Sequence, residues 1–209
     1  MMTPDIQKAG IRRYTKDECV VFRKTNEPFG GLSNMAPGFP LSVNGVRIAT
    51  SEVLYQLCRF PHMPDVQRML IGERSPMTAK MKSKPYRPQS RADWEQIKVR
   101  VMRWCLRVKL AQNWGNFGRL LESTGERIIV EFSMKDLYWG AKPEDGQVLV
   151  GANVLGRLLM ELRMHLRGPE RNSLMSIMPL DVPGFLMLGR PIEPIVTTEL
   201  GRDLPASHR

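Results

Sequence analysis

Between Ser90 and Gln112, apolar residues recur at intervals of three and four: Trp94, Ile97, Val101, Trp104 and Val108. Only an α-helix puts those positions on one stripe. A stripe carrying two tryptophans has to be buried, so other elements must pack around this helix. Ser90 and Asp93 offer capping side chains at its start. A second amphipathic run, with Leu155, Leu158, Leu159, Leu162 and Leu166 inward, ends near Arg167. Thr50-Ser51-Glu52 opens a shorter helix that Ser51 can cap and Pro61 stops. Ser75-Pro76 reads as another cap with proline in the first turn, and Lys82–Ser90, with two prolines, as a loop. The β signals are short: Cys19–Phe22, a hairpin over Leu41–Ile48 turning at Asn44-Gly45, and Arg127–Phe132. The predicted class is α+β, a helix-dominated single domain with a few short antiparallel strands. Its predicted organisation is an N-terminal arm over 1–19, one domain over 20–168 and a proline-rich C-terminal extension over 169–209, because helical periodicity is lost after Gly168.

Several function classes drop out. No apolar run approaches membrane-spanning length and no charged-then-apolar leader opens the chain, so no membrane role and a cytoplasmic location are expected. Cys19, Cys58 and Cys105 are dispersed and odd in number, and His62, His165 and His208 stand apart from them and from one another. That pattern supports neither a disulfide framework nor a metal site. No metal and no cofactor are expected, and activity should survive chelators. The net charge is +10, and Lys80–Lys109 holds ten basic residues against Asp93 and Glu95 alone. Such a run suits a polyanion such as nucleic acid, and it would equally serve as a solvated helix face.

Four constellations could carry chemistry. Glu52, Gln56 and Arg59 are spaced i, i+4, i+7 and share one helix face, as a catalytic and orienting group or as a surface ion-pair row. Asp136 precedes Tyr138-Trp139-Gly140, where a loop tryptophan can stack on a base or plug the core edge. Gly151, Asn153 and Gly156 stand at a helix start, fit for a phosphate or for close packing. Lys80, Lys82 and Lys84 can hold phosphate, act as an amine nucleophile, or simply decorate the surface. No Ser-His-Asp or Cys-His arrangement stands out, which leaves chemistry by carboxylates and by lysine.

Taken in order, these pieces resemble the NADAR (YbiA-like) family. The matching elements are Gly31-Leu32-Ser33-Asn34, Thr50–Phe60, Ser75–Lys80, Asp93-Trp94 with Lys98 and Met102, Asp136 with Trp139-Gly140, and Gly151–Arg163. Val53 stands where the family usually has histidine, and Arg59 where it usually has lysine. Leu54–His62 and Lys80–Pro85 look most like the branch found beside DNA ADP-ribosyltransferase toxins. The resemblance implies an N-glycosidase that removes ADP-ribose from guanine in modified DNA (more so than RNA), an antitoxin role with a cognate toxin as partner, and ADP-ribose as product. Two alternatives stay open: an N-glycosidase on a riboflavin-biosynthesis intermediate, and a non-catalytic ADP-ribose-binding module. The expected catalytic residues are Glu52 and Asp136, with Lys80 or Lys84 as candidates for a covalent intermediate with the opened sugar. The expected ligand-binding residues are Asn34, Gln56, Arg59, Trp94, Lys98, Trp139, Gly140, Gly151, Asn153 and Gly156.

Overall fold

The computed structural model describes residues 9–197. Residues 1–8 and 198–209, which include His208 and the outer ends of the expected arm and extension, lie outside the described residues. In chain order the elements begin with β1 (Arg12–Thr15), β2 (Cys19–Phe22), β3 (Leu41–Val43), β4 (Val46–Ile48) and α1 (Ser51–Cys58). They continue with α2 (Pro64–Ile71), α3 (Pro76–Ser83), α4 (Trp94–Gln112), α5 (Trp114–Glu122) and β5 (Ile128–Glu131). Next come β6 (Lys142–Pro143), β7 (Val148–Gly151), α6 (Val154–Arg167) and four two-residue strands, β8 (Ser176–Ile177), β9 (Leu186–Met187), β10 (Arg190–Pro191) and β11 (Ile195–Val196). The fold is α+β and helix-dominated.

Helix α4 is the axis of the core. Trp94, Ile97, Val101, Trp104 and Val108 are each at most 5% exposed, and α1, α5 and α6 pack around the helix. Leu155, Leu158, Leu159, Leu162 and Leu166 of α6 close the other side. Ile177, Phe185, Met187, Ile192 and Ile195, from beyond Gly168, join this same cluster. The β3–β4 hairpin turns through Asn44 and Gly45, both at positive φ, where a branched side chain would be strained.

Local details depart from the sequence reading in instructive ways. Thr50, not Ser51, caps α1: its hydroxyl accepts from the Val53 N–H, while the Ser51 hydroxyl donates to Asn34. Ser75 caps α3 as its sequence suggests, but the following prolines form a 3-10 turn over Lys84–Gln89 rather than an open loop. Asp93 makes no cap hydrogen bond at α4, because its carboxylate is held by Arg91. Helices α2 and α5 are only eight and nine residues long, shorter than the window over which helical periodicity stands out. Strand β1 pairs antiparallel with β7, and β2 pairs in parallel with β5, setting Phe22 opposite Glu131. Both pairings join segments more than a hundred residues apart, which local pattern does not reveal.

Candidate active site

A cavity of about 360 Å3 opens between α1, the first half of α4, the end of β5 and the Ser133–Trp139 loop, within the ~300–1,000 Å3 usual for small-molecule sites. Asn34, Glu52, Gln56, Arg59, Lys80, Trp94, Lys98, Asp136 and Trp139 all line it. Residues dispersed over a hundred positions thus converge on one concavity.

Its centre is Glu52, 5% exposed, in the first turn of α1. One carboxylate oxygen accepts from Gln56 Nε2 at 3.0 Å and stands 3.4 Å from Lys80 Nζ of α3. Gln56 in turn accepts from the Ser83 hydroxyl at 3.1 Å, so α1 and α3 are tied at this point. Asn34 fixes the other side of Glu52. Its carbonyl accepts from the Glu52 N–H at 2.9 Å, its amide oxygen accepts from the Ser51 hydroxyl, and its amide nitrogen reaches Met102 Sδ. Asn34 thus fixes the Glu52 backbone while Gln56 and Lys80 hold its carboxylate, the fixed placement that an electrostatic catalyst needs.

Asp136 uses one oxygen to accept from the Tyr138 and Trp139 N–H groups at 2.8 and 2.9 Å. That Asx turn presents Trp139 to the cavity. Trp139 meets Tyr55 edge-on at 5.7 Å, and Tyr55 meets Trp94 at 5.0 Å, forming an aromatic wall. Trp94 is 2% exposed, with Tyr55 and the Arg59 guanidinium against its ring, so Trp139 is the more open of the two indoles. Burial pushes the Tyr55 hydroxyl well above its ordinary range. Lys98 pairs with Glu95 and lies 4.7 Å from the Tyr138 ring centre.

Glu131, at the end of β5, is a cavity residue that the sequence reading passes over. Burial, then the nearby Asp136 carboxylate, pushes its carboxyl up to about 7; Lys80 pulls the other way. The strand signal over 127–132 is local, whereas the parallel pairing with β2 that sets Glu131 in the cavity with Glu52 is not. Arg23, Tyr55, Arg87, Glu95 and Ser133 also line the cavity without having been expected there.

The remaining predicted residues sit elsewhere. Lys84 is exposed at the end of α3. Gly140, Gly151, Asn153 and Gly156 are scaffold beneath the site. Asn153, in the left-handed region, accepts from the Glu131 N–H and donates to the Ile129 carbonyl, completing the edge of β5. A Cβ at Gly156 would stand 2.1 Å from the Ile129 carbonyl oxygen, and one at Gly151 2.3 Å from that of Gly140. The Val154 and Leu155 N–H groups at the start of α6 donate to the Tyr138 and Trp139 carbonyls. The helix start offered to a phosphate by the sequence is thus spent on holding the Trp139 loop.

The basic run is also reshaped. Lys109 is fully buried, donating to the Gly31 and Ser33 carbonyls between the Phe39 and Phe117 rings, and burial pushes it down to about 7. Lys82 pairs with Glu73, Arg91 with Asp93 and Arg103 with Glu161. Among the described residues, Lys84, Arg87, Arg100 and Arg107 make no ion pair. No helix among the described residues is long and apolar enough to cross a membrane. None of their His, Cys, Asp and Glu side chains form a group of three or more arranged to hold a metal ion.

Residues 21–167 match the family model described as the NADAR domain. The chain is 34% identical over 159 residues to the N-glycosidase YbiA of Escherichia coli, covering 75% of this chain and 93% of that protein. It is 32% identical over 157 residues to a riboflavin biosynthesis protein of Vibrio vulnificus, of which it spans 41%. An N-glycosidase of Nostoc punctiforme is 28% identical over 150 residues, covering 71% of this chain and 92% of that protein. The solution structure of E. coli YbiA superposes with a TM-score of 0.57 at 33% identity, covering 70% of this chain and 84% of that one.

Proposed function

This chain belongs to the NADAR family, and on that premise we propose that it hydrolyses an N-glycosidic bond to ribose, its substrate being ADP-ribose carried on guanine in DNA. The observation that carries this reading is a pair of carboxyls in one cavity with opposite environments. Glu52 is anchored beside the Lys80 ammonium. Glu131 is held near neutrality by burial and by Asp136. Breaking a ribose C–N bond builds positive charge at the anomeric carbon and negative charge on the departing base nitrogen. Glu52 stabilises the first and can activate water for attack on the sugar; Glu131 donates the proton that the base requires. Asp136, with one oxygen committed to the Trp139 loop, orders the aromatic wall and leaves its second oxygen for ribose. Lys80, beside Glu52, is also the amine best placed to capture an opened sugar as a Schiff base.

Guanine on DNA is favoured by the net charge of +10, by the unpaired Lys84, Arg87, Arg100 and Arg107, and by the likeness of Leu54–His62 and Lys80–Pro85 to the toxin-associated branch. In that setting the enzyme is an antitoxin that reverses a DNA ADP-ribosyltransferase. A second reading, cleavage of an N-ribosylated riboflavin precursor, is favoured by the name of the Vibrio relative. The two separate in one assay: release of ADP-ribose from a guanine-modified oligonucleotide, against release of the base from the riboflavin precursor. Turnover of the oligonucleotide supports the first reading, and turnover of the precursor alone replaces it with the second. ADP-ribose binding without cleavage of either would leave a binding module.

A further inference from the structure

Both lysines at the cavity have an acid beside them: Lys80 has Glu52 and Lys98 has Glu95. Arg59 has none. Among the described residues its guanidinium makes no ion pair and no hydrogen bond, and its buried Nε and the buried Trp94 Nε1 both lack an acceptor. The guanidinium lies over the Trp94 ring, 4.7 Å from its centre. Burial lowers its pKa most; Arg87, which also lines the cavity and has no ion pair, acts in the same direction, while Tyr55, Glu95 and Glu52 act the other way from beyond ion-pair distance. Two like charges at one cavity, one of them partly desolvated, favour a shared anion between them. An arginine held over an indole keeps its N–H edge free for a bidentate oxyanion.

Position defines what that anion belongs to. Glu52 and Arg59 share one face of α1 and are seven residues apart, which separates them by roughly 10 Å along the helix axis. The carboxyl end and the guanidinium end of the cavity are therefore distinct.

We infer that Arg59 and Arg87, over the Trp94 indole, form a subsite for a phosphate or diphosphate ester carried by the sugar away from the bond that breaks. This rests on the glycosidase reading of the same cavity, which puts the anomeric carbon at Glu52. A 5-phosphate on ribose and the diphosphate of ADP-ribose share this chemistry. Arg23, the other cavity guanidinium without an ion pair, packs on Phe132 at 4.8 Å on the strand side and serves as the comparison.

The test is 31P NMR titration of the full chain with inorganic pyrophosphate and inorganic phosphate, followed by calorimetry with ADP-ribose and ribose 5-phosphate. Arg59→Gln and Arg87→Gln should each weaken binding of the phosphorylated ligands at least 10-fold, and Arg23→Gln should weaken it less. Arg87 is exposed, so its variant probes the subsite even if Arg59→Gln were to disturb folding. Tighter binding of pyrophosphate and ADP-ribose would assign the subsite to a diphosphate; tighter binding of phosphate and ribose 5-phosphate would assign it to a monophosphate. Failure of the wild-type chain to bind any of the four, or equal binding by wild type and both variants, overturns the inference. Arg59-dependent pyrophosphate binding in a protein that cleaves no N-glycoside would sink the glycosidase reading and leave the subsite standing.

Discussion

Replacing Glu131 by Gln separates two consequences of one half-buried acid. Its carboxyl is raised from an ordinary value of 4.5 to about 7 by burial and by Asp136. Between those values the folded chain binds a proton that the unfolded chain does not. The stabilising contribution is therefore complete below pH 4.5 and is lost as pH rises through 7. At about 1.36 kcal/mol per unit, the shift corresponds to up to about 3 kcal/mol. Glutamine has no such titration, so urea unfolding of wild type and Glu131→Gln at pH 4.5 and pH 8 should show the variant gaining by that amount at the higher pH. The rate should move the other way. If Glu131 protonates the leaving base, wild-type kcat/KM falls as pH rises above about 7, and the variant loses that limb along with roughly 100-fold or more of its rate. Matching pH-rate profiles for the two proteins, or a stability gap that does not change with pH, would refute the assignment.

Gly156→Ala should destabilise the fold by about 1–3 kcal/mol in chemical unfolding, because its Cβ would meet the Ile129 carbonyl at 2.1 Å and force β5 outward. Turnover should fall with it, since β5 carries Glu131. Lys109 is pushed from 10.5 down to about 7 by burial, so the unfolded chain alone binds its proton between those values and stability rises with pH there. Relative to Lys109→Met, wild type should gain up to about 2.7 kcal/mol between pH 7.5 and 9.5 in urea unfolding. Reversing Arg100 and Arg107 to Glu should weaken binding to modified DNA, and its salt dependence, more than binding to free ADP-ribose; equal losses in a fluorescence titration would exclude a DNA surface there.

The helical frame was legible because its signals are local. The α4 stripe, the Asn44-Gly45 turn, the Ser75-Pro76 cap and the leucine face of α6 each follow from neighbours within a few residues. The shared face of Glu52, Gln56 and Arg59 likewise follows from helical spacing alone. What the sequence hides is non-local. Glu131 becomes a cavity acid because β5 lies parallel to β2 and Asn153 braces its edge. Asn153 and Gly156 look like an anion cradle in one dimension, yet the carbonyls of Tyr138 and Trp139 take the N–H groups of Val154 and Leu155. The basic run loses much of its apparent charge to Glu52, Glu73 and Glu161, all outside it in sequence, and to the burial of Lys109.

The central claim is that Glu52 acts on the transition state of N-glycoside cleavage. Single-turnover release of ADP-ribose from a guanine-modified oligonucleotide, by wild type and Glu52→Gln, tests it most directly. Glutamine keeps the size and the hydrogen-bonding reach toward Gln56 but removes the charge beside the developing cation. The account predicts a fall of about 100-fold or more, roughly 3 kcal/mol of barrier, with oligonucleotide affinity changed far less. Undiminished release by Glu52→Gln would contradict it and pass the chemistry to Lys80, where borohydride trapping of an adduct absent from Lys80→Ala would be the sign.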